Sequence, residues 1–137
     1  MTLRLIGFAI DAVVVLVFVG IGRRTHAEPN SVLSLLGAAW PFLVGLAIGW
    51  LIALSLVSAS TKIAPLKFWG AVVVWGVTVL VGMLIRRWVG DGTAAAFVVV
   101  ALATLAVLML GWRLVGQQLL SARRRRRTAS ASARPQG

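Results

Sequence analysis

The stretch LIGFAIDAVVVLVFVGI, residues 5–21, decides the fold of this chain, because it is apolar throughout except for one charge, Asp11. A helix rises about 1.5 Å per residue and the hydrocarbon core of a bilayer is about 30 Å thick, so about 20 apolar residues span it. Three more apolar stretches of comparable length follow at residues 32–57, 68–85 and 93–112. The pattern predicts four transmembrane helices.

The composition of the whole chain agrees with this pattern. Of its 137 residues, 60% are hydrophobic and 12% are charged, and the mean hydropathy is +0.97. A soluble domain carries about 25% charged residues, so lipid must be the solvent for most of this chain. There is no cysteine, which excludes disulfides and thiolate chemistry.

A secretory signal peptide is the competing interpretation of the first stretch, since Arg4 precedes an apolar run. Asp11 would interrupt that run, and Gly22-Arg23-Arg24 stands where a cleavage site of small residues belongs. The sequence therefore favours a helix that stays in the protein.

The connections between the four stretches are short, and short connections make successive helices antiparallel neighbours. We predict an all-α integral membrane protein, an up-down-up-down bundle formed by residues 1–120. Residues 121–137 contain five consecutive arginines followed by Thr, Ser, Ala, Pro and Gly. That composition predicts a disordered, arginine-rich cytoplasmic tail.

The distribution of Lys and Arg predicts the orientation. With both termini inside, ten basic residues lie on the cytoplasmic side and four lie outside. The inside set is Arg4, Lys62, Lys67, Arg113, Arg123–Arg127 and Arg134, and the outside set is Arg23, Arg24, Arg86 and Arg87. The prediction is N-in and C-in, multi-pass, in a bacterial cytoplasmic membrane, and it depends on the C-terminal arginines.

Asp11 is the residue most open to a functional interpretation. An ionised carboxylate near the middle of a spanning helix costs at least ~2.5 kcal/mol. On a helix its face includes Gly7, which lets another helix come close. Two interpretations stay open: a proton or cation site, and a clamp between helices.

Arg113 is the candidate partner of Asp11. Helix four is predicted to run antiparallel to helix one, and Asp11 lies ~10 Å past Arg4 by helical rise. An arginine slightly inside the cytoplasmic interface then reaches toward it. The alternative is that Arg113 extends to the headgroups, as arginines at helix ends do.

Other features predict packing. Pro41 removes one backbone hydrogen bond within helix two and predicts a kink. Gly45 and Gly49 form a GxxxG pair, and Thr78 and Gly82 form a similar pair in helix three, so both helices are predicted to pack closely. Among six tryptophans, Trp112 is predicted at an interface, whereas Trp50 and Trp75 are predicted to lie deeper, where their N–H groups need acceptors.

Catalytic patterns are missing from the sequence. His26 is the single histidine and there is no Walker loop, so an HExxH zinc site and a Ser-His-Asp triad in the helices are excluded. The net charge of +11 resides at helix ends and in the tail rather than on a basic face, which argues against nucleic acid. We expect no enzymatic activity and no cofactor.

Several motifs together resemble a known family, the domain-of-unknown-function 3054 family of small membrane proteins. They are Asp11, Gly22-Arg23-Arg24 with His26, Ala39-Trp40-Pro41-Phe42-Leu43-Val44-Gly45, and Val73-Val74-Trp75 with Thr78 and Gly82-Met83-Leu84. The resemblance covers about residues 8–113. It implies four spans and no established activity.

Two functions follow as hypotheses. The first is a packing or interaction protein, a homo-oligomer or an accessory subunit bound to a membrane partner protein. The alternative is a small oligomeric transporter that uses Asp11 as its ionisable site. The lipid bilayer is the expected surrounding in both, with anionic lipid at Arg123–Arg127.

Overall fold

The computed structural model of the chain describes residues 2–24, 31–58, 64–91 and 93–132. These residues form four α-helices, α1 Thr2–Arg24, α2 Val32–Ser55, α3 Phe68–Val89 and α4 Ala95–Ser132, and a short 3-10 turn, Leu56–Ser58, follows α2. All four helices are long and apolar enough to cross a membrane. The prediction of four spans is confirmed.

Local sequence sets two of the helix ends. Ser31 begins α2 as its N-cap, and its Oγ accepts a hydrogen bond of 3.1 Å from the Ser34 amide. Gly90 ends α3 in the left-handed region, with φ of 87°, a backbone conformation that favours glycine. Gly90 therefore ends α3 directly after Val89.

Contacts between side chains show that successive helices run antiparallel. Phe18 of α1 packs edge-on against Phe42 of α2, with ring centroids 5.7 Å apart, and its ring lies 6.2 Å from that of Phe97 in α4. The first half of α1 instead meets the end of α2, because Phe8 packs edge-on against Trp50. Each helix packs against two others, in the cyclic order α1, α2, α3, α4.

A narrow core lies between the four helices. The residues buried to at least 99% include Val15, Phe42, Leu46, Val74, Leu105 and Met109. Large apolar side chains on the outside are exposed in the isolated chain, for example Leu33 at 82% and Trp88 at 88%. A surface of this kind is matched by lipid rather than by water.

α4 is longer than the sequence predicted. It continues to Ser132 and so includes residues 121–132 of the predicted tail, whose disorder remains a prediction. No glycine or proline occurs between Gly116 and Pro135, and arginine is a good helix former, so nothing in that segment breaks the helix. The remainder of the predicted tail, 133–137, lies outside the described residues.

Candidate functional site

Asp11 lies on the buried face of α1. Gly7, Asp11, Val15 and Phe18 recur at helical spacing along that face, and Asp11 is 0% exposed. Gly7 makes room for two side chains, since a Cβ there would lie 2.5 Å from Cδ2 of Leu66 and 3.1 Å from Cη2 of Trp50, a hydrogen-bond partner of Asp11. The absence of a side chain at residue 7 therefore brings α2 close to the carboxylate.

The structure brings Asp11 and Arg113 together as a buried ion pair. Nη1 of Arg113 donates to Oδ1 of Asp11 at 2.8 Å, and Nη2 donates to Oδ2 at 2.6 Å. Both side chains are 0% exposed. This two-pronged geometry is the strong form of a guanidinium–carboxylate contact.

Two further N–H groups of the guanidinium donate to backbone carbonyls. Nε of Arg113 donates to the carbonyl of Pro65 at 2.9 Å, and Nη1 also donates to the carbonyl of Met109 at 2.8 Å. Pro65 belongs to the connection between α2 and α3. Arg113 therefore joins α4 to both α1 and that connection.

Two indoles complete the surroundings of the carboxylate. Nε1 of Trp50 donates to Oδ2 of Asp11 at 2.9 Å, and Nε1 of Trp112 donates to Oδ1 at 3.0 Å. Each carboxylate oxygen thus accepts two hydrogen bonds, one from Arg113 and one from a tryptophan. We call Asp11, Trp50, Trp112 and Arg113 the polar cluster.

The polar cluster is neutral and enclosed. Three helices contribute to it, α1 through Asp11, α2 through Trp50 and α4 through Trp112 and Arg113. A buried pair becomes tolerable when its charges face each other and its remaining hydrogen-bonding groups are satisfied. Chemically, this arrangement holds helices together, and in this conformation the carboxylate has no exposed surface for a substrate or an ion.

Sequence reasoning identified Asp11 and Arg113 but did not include Trp112 among the partners of Asp11. Trp112 was predicted near an interface, which remains a prediction, and its partly exposed ring donates its N–H to Asp11. The guanidinium of Arg113 lies over the Trp112 ring, at 4.6 Å from its centroid. The predicted need for an acceptor at Trp50 and Trp75 is met by Asp11 and by the Leu102 carbonyl, the latter at 3.2 Å.

The residues predicted for helix packing lie between α2 and α3. A Cβ at Gly45 would lie 2.7 Å from the carbonyl oxygen of Thr78, and one at Gly49 would lie 3.0 Å from that of Val74. A Cβ at Gly82 would lie 2.5 Å from Cδ1 of the Phe42 ring. Both small-residue pairs therefore serve contact within the chain.

Pro41 is buried inside α2, which continues past it to Ser55, and the kink remains a prediction. The Thr78 hydroxyl donates at 2.7 Å to the Val74 carbonyl of its own helix, so the hydroxyl does not bond across to α2.

A second charged group lies at the opposite end of the bundle. Nη1 of Arg86 lies 3.6 Å from Oδ2 of Asp91, Nη2 donates to the Asp91 carbonyl at 3.1 Å, and the guanidinium lies 4.9 Å from the Phe97 ring centroid. Asp91 is 42% exposed. This pair is a surface contact, unlike the polar cluster.

Within the described ranges, no three His, Cys, Asp or Glu side chains are grouped so that they would hold a metal ion. His26 lies outside those ranges, as do the side chains of Arg123–Arg127.

Four apolar helices around an internally neutralised ion pair define a multi-pass membrane protein. The chain belongs to the family described as "Protein of unknown function (DUF3054)", whose model matches residues 8–116. The resemblance seen in the sequence is confirmed. No curated protein and no solved structure matches the chain.

Proposed function

We propose that this protein is a structural or interaction component of a membrane, a homo-oligomer or an accessory subunit, in which the polar cluster serves as a clamp. One observation carries the proposal. The Asp11 carboxylate is 0% exposed and accepts hydrogen bonds from three side chains on two other helices. A transport site must exchange its ion or proton with water, whereas a side chain that only holds helices together needs no access to water.

The outer surface of α4 supports the interaction part of the proposal. Of the most apolar window of each span, 17% is buried in α4, against 28% to 39% in the other three. A Cβ at Gly111 or Gly116 would meet no atom within 4 Å. These glycines are therefore unused by packing within the chain and leave space for another helix.

The proposal extends to the setting of the protein. Both termini lie in the cytoplasm, the membrane is the bacterial cytoplasmic membrane, and Arg123–Arg127 contact anionic lipid there. The distribution of basic residues in the sequence supports this part. The proposed role is not enzymatic, and it is supported by Asp11, the carboxylate that the described residues bury in the core, because four N–H donors engage it.

Reconstitution into vesicles separates the clamp from a transporter. Under a proton gradient, we expect wild type and Asp11→Asn to leak at the rate of protein-free vesicles, while Asp11→Asn unfolds more easily in detergent. A flux in wild type that disappears in Asp11→Asn would instead support the transporter.

Native mass spectrometry from mild detergent tests the interaction part. The chain has a mass of 14.6 kDa, and we expect multiples of this mass or a complex with a second polypeptide. A lone monomer, extracted without delipidation and at several detergent strengths, would contradict it.

A further inference from the structure

We propose that the groove lined by Leu66, Lys67, Phe68, Trp69 and Gln117 binds an anionic phospholipid, with an acyl chain on its apolar floor and the headgroup phosphate at Lys67. We call it the α3–α4 groove. It is separate from the polar cluster, and the proposal is independent of the clamp.

The size and lining of the groove suit a lipid. Its volume is about 410 Å³, within the range of about 300–1,000 Å³ that is usual for small-molecule sites. Phe68 and Trp69 remain 38% and 60% exposed and pack edge-on at 5.7 Å. A hydrogen bond of 3.3 Å from the Gln117 amide to the Leu66 carbonyl joins the two walls.

The groove lies at the ends of two candidate membrane spans. The α3 span begins at Phe68 and the α4 span ends at Leu119, so both walls are at the ends of membrane-spanning segments. Tryptophan and lysine are the side chains that favour this level, with the ring in the apolar region and the charge toward the headgroups.

Charge complementarity identifies the ligand as an anion. The chain has three acidic residues, Asp11, Glu28 and Asp91. Asp11 is neutralised by Arg113. Asp91 follows the C-terminus of α3, and Glu28 lies in sequence between the C-terminus of α1 and the N-terminus of α2. Among the described residues, the end of the bundle that holds Lys67 therefore has no acid besides Asp11.

The N-terminus of α3 adds a second reason to expect an anion near Lys67. Lys67 is the N-cap of α3 and makes no side-chain cap, and the first turn contains no acidic residue. A cation at a helix N-terminus faces the positive end of the helix dipole, which an anion would balance. A phospholipid supplies both the missing anion and the apolar chain.

Photocrosslinking of the full chain in nanodiscs tests the site. Phosphatidylglycerol and phosphatidylcholine, each with a diazirine in the acyl chain, are compared by mapping labelled peptides. Phosphatidylglycerol is expected to label residues 66–69 and 117 preferentially, and Lys67→Gln to reduce that labelling about fivefold, the worth of one interfacial cation. Excess unlabelled phosphatidylglycerol should compete, and inorganic phosphate should not.

Two variants serve as controls. Arg87→Gln removes the same charge at the other end of the bundle and should leave groove labelling unchanged, and Lys67→Arg should retain it. Because labelling is resolved by peptide, lipid held by Arg123–Arg127 is scored separately. Equal labelling by both lipids, or labelling that persists in Lys67→Gln, would overturn the proposal.

Discussion

The ion pair between Asp11 and Arg113 is held under conditions that differ from those of a surface ion pair. At a surface, water and salt screen the charges and a pair is worth about 0–1 kcal/mol. In the apolar interior each charge has lost its hydration, and its stability depends on the partner and on the hydrogen bonds around it. Trp50, Trp112 and the Pro65 carbonyl provide those bonds.

A double-mutant cycle measures this dependence. Asp11→Asn or Arg113→Gln alone leaves one buried charge without its partner, so each should lower the free energy of unfolding by about 3–5 kcal/mol. The double variant should lose less than the sum, with a coupling energy of about 1–3 kcal/mol. Unfolding is followed by titration with SDS in mixed micelles.

Asp91→Asn is the matched control, since it makes the same chemical change in a partly exposed ion pair. It should change the free energy of unfolding by less than about 1 kcal/mol. Additive losses at Asp11 and Arg113 would show that the two side chains do not act as a pair.

Much of the polar cluster was predictable from sequence, and the reasons are physical. A lone carboxylate in an apolar span requires a partner, and an antiparallel helix with an arginine near its end supplies one at the same depth. Trp112 was not predictable in this way. Tryptophan is stable both at the headgroups and in the core when its N–H finds an acceptor, so the residue type does not choose between them.

At the scale of helices, the contact between α2 and α3 is the most extensive in the bundle, and glycines remove the side chains between the two backbones. Gly45 and Gly49 meet the carbonyls of Thr78 and Val74 directly. The sequence predicted close packing from these spacings but did not specify the partner, since a GxxxG pair accepts any smooth helix, including one from a second copy. The complementary small residues of α3 became identifiable only from the structure.

Gly45→Ala tests this contact. Its Cβ would lie 2.7 Å from the Thr78 carbonyl oxygen, a backbone atom that moves only if α3 moves. We expect a loss of about 1–3 kcal/mol in the free energy of unfolding, the usual cost of overpacking. The measurement is the same SDS titration.

Gly37→Ala is its control in the same helix. A Cβ at residue 37 would meet no atom within 4 Å, and alanine is the better helix former by about 1 kcal/mol. It should therefore be neutral or stabilising. A Gly45→Ala variant as stable as Gly37→Ala would mean that α2 and α3 are farther apart than they are here.

The whole molecule is asymmetric between its two ends, and this asymmetry concerns how it sits in the membrane. One end holds the polar cluster and the α3–α4 groove, and α4 continues beyond it through Arg123–Arg127. The other end holds Phe18, Phe42 and Phe97 beneath the Arg86–Asp91 pair. Four transmembrane helices were predictable from apolar length alone. The predicted orientation depends on charges that lie mainly outside the bundle.

Replacing Arg123–Arg127 with glutamine should therefore disturb the orientation. The bias falls from ten basic residues against four to five against four, and a bias this small no longer selects one topology. The chain has no cysteine, so Ala94→Cys and Ala122→Cys report the two ends without interference. In intact spheroplasts, a membrane-impermeant maleimide should label the cysteine at 94 and not the one at 122, and in the glutamine variant it should label both in part.

Arg23→Gln with Arg24→Gln removes charges from the other side and should keep the single topology, because the bias rises to ten against two. Labelling at 122 in the otherwise unaltered chain would show that the C-terminus faces outward, and an unchanged pattern in the glutamine variant would show that the arginines do not set the orientation.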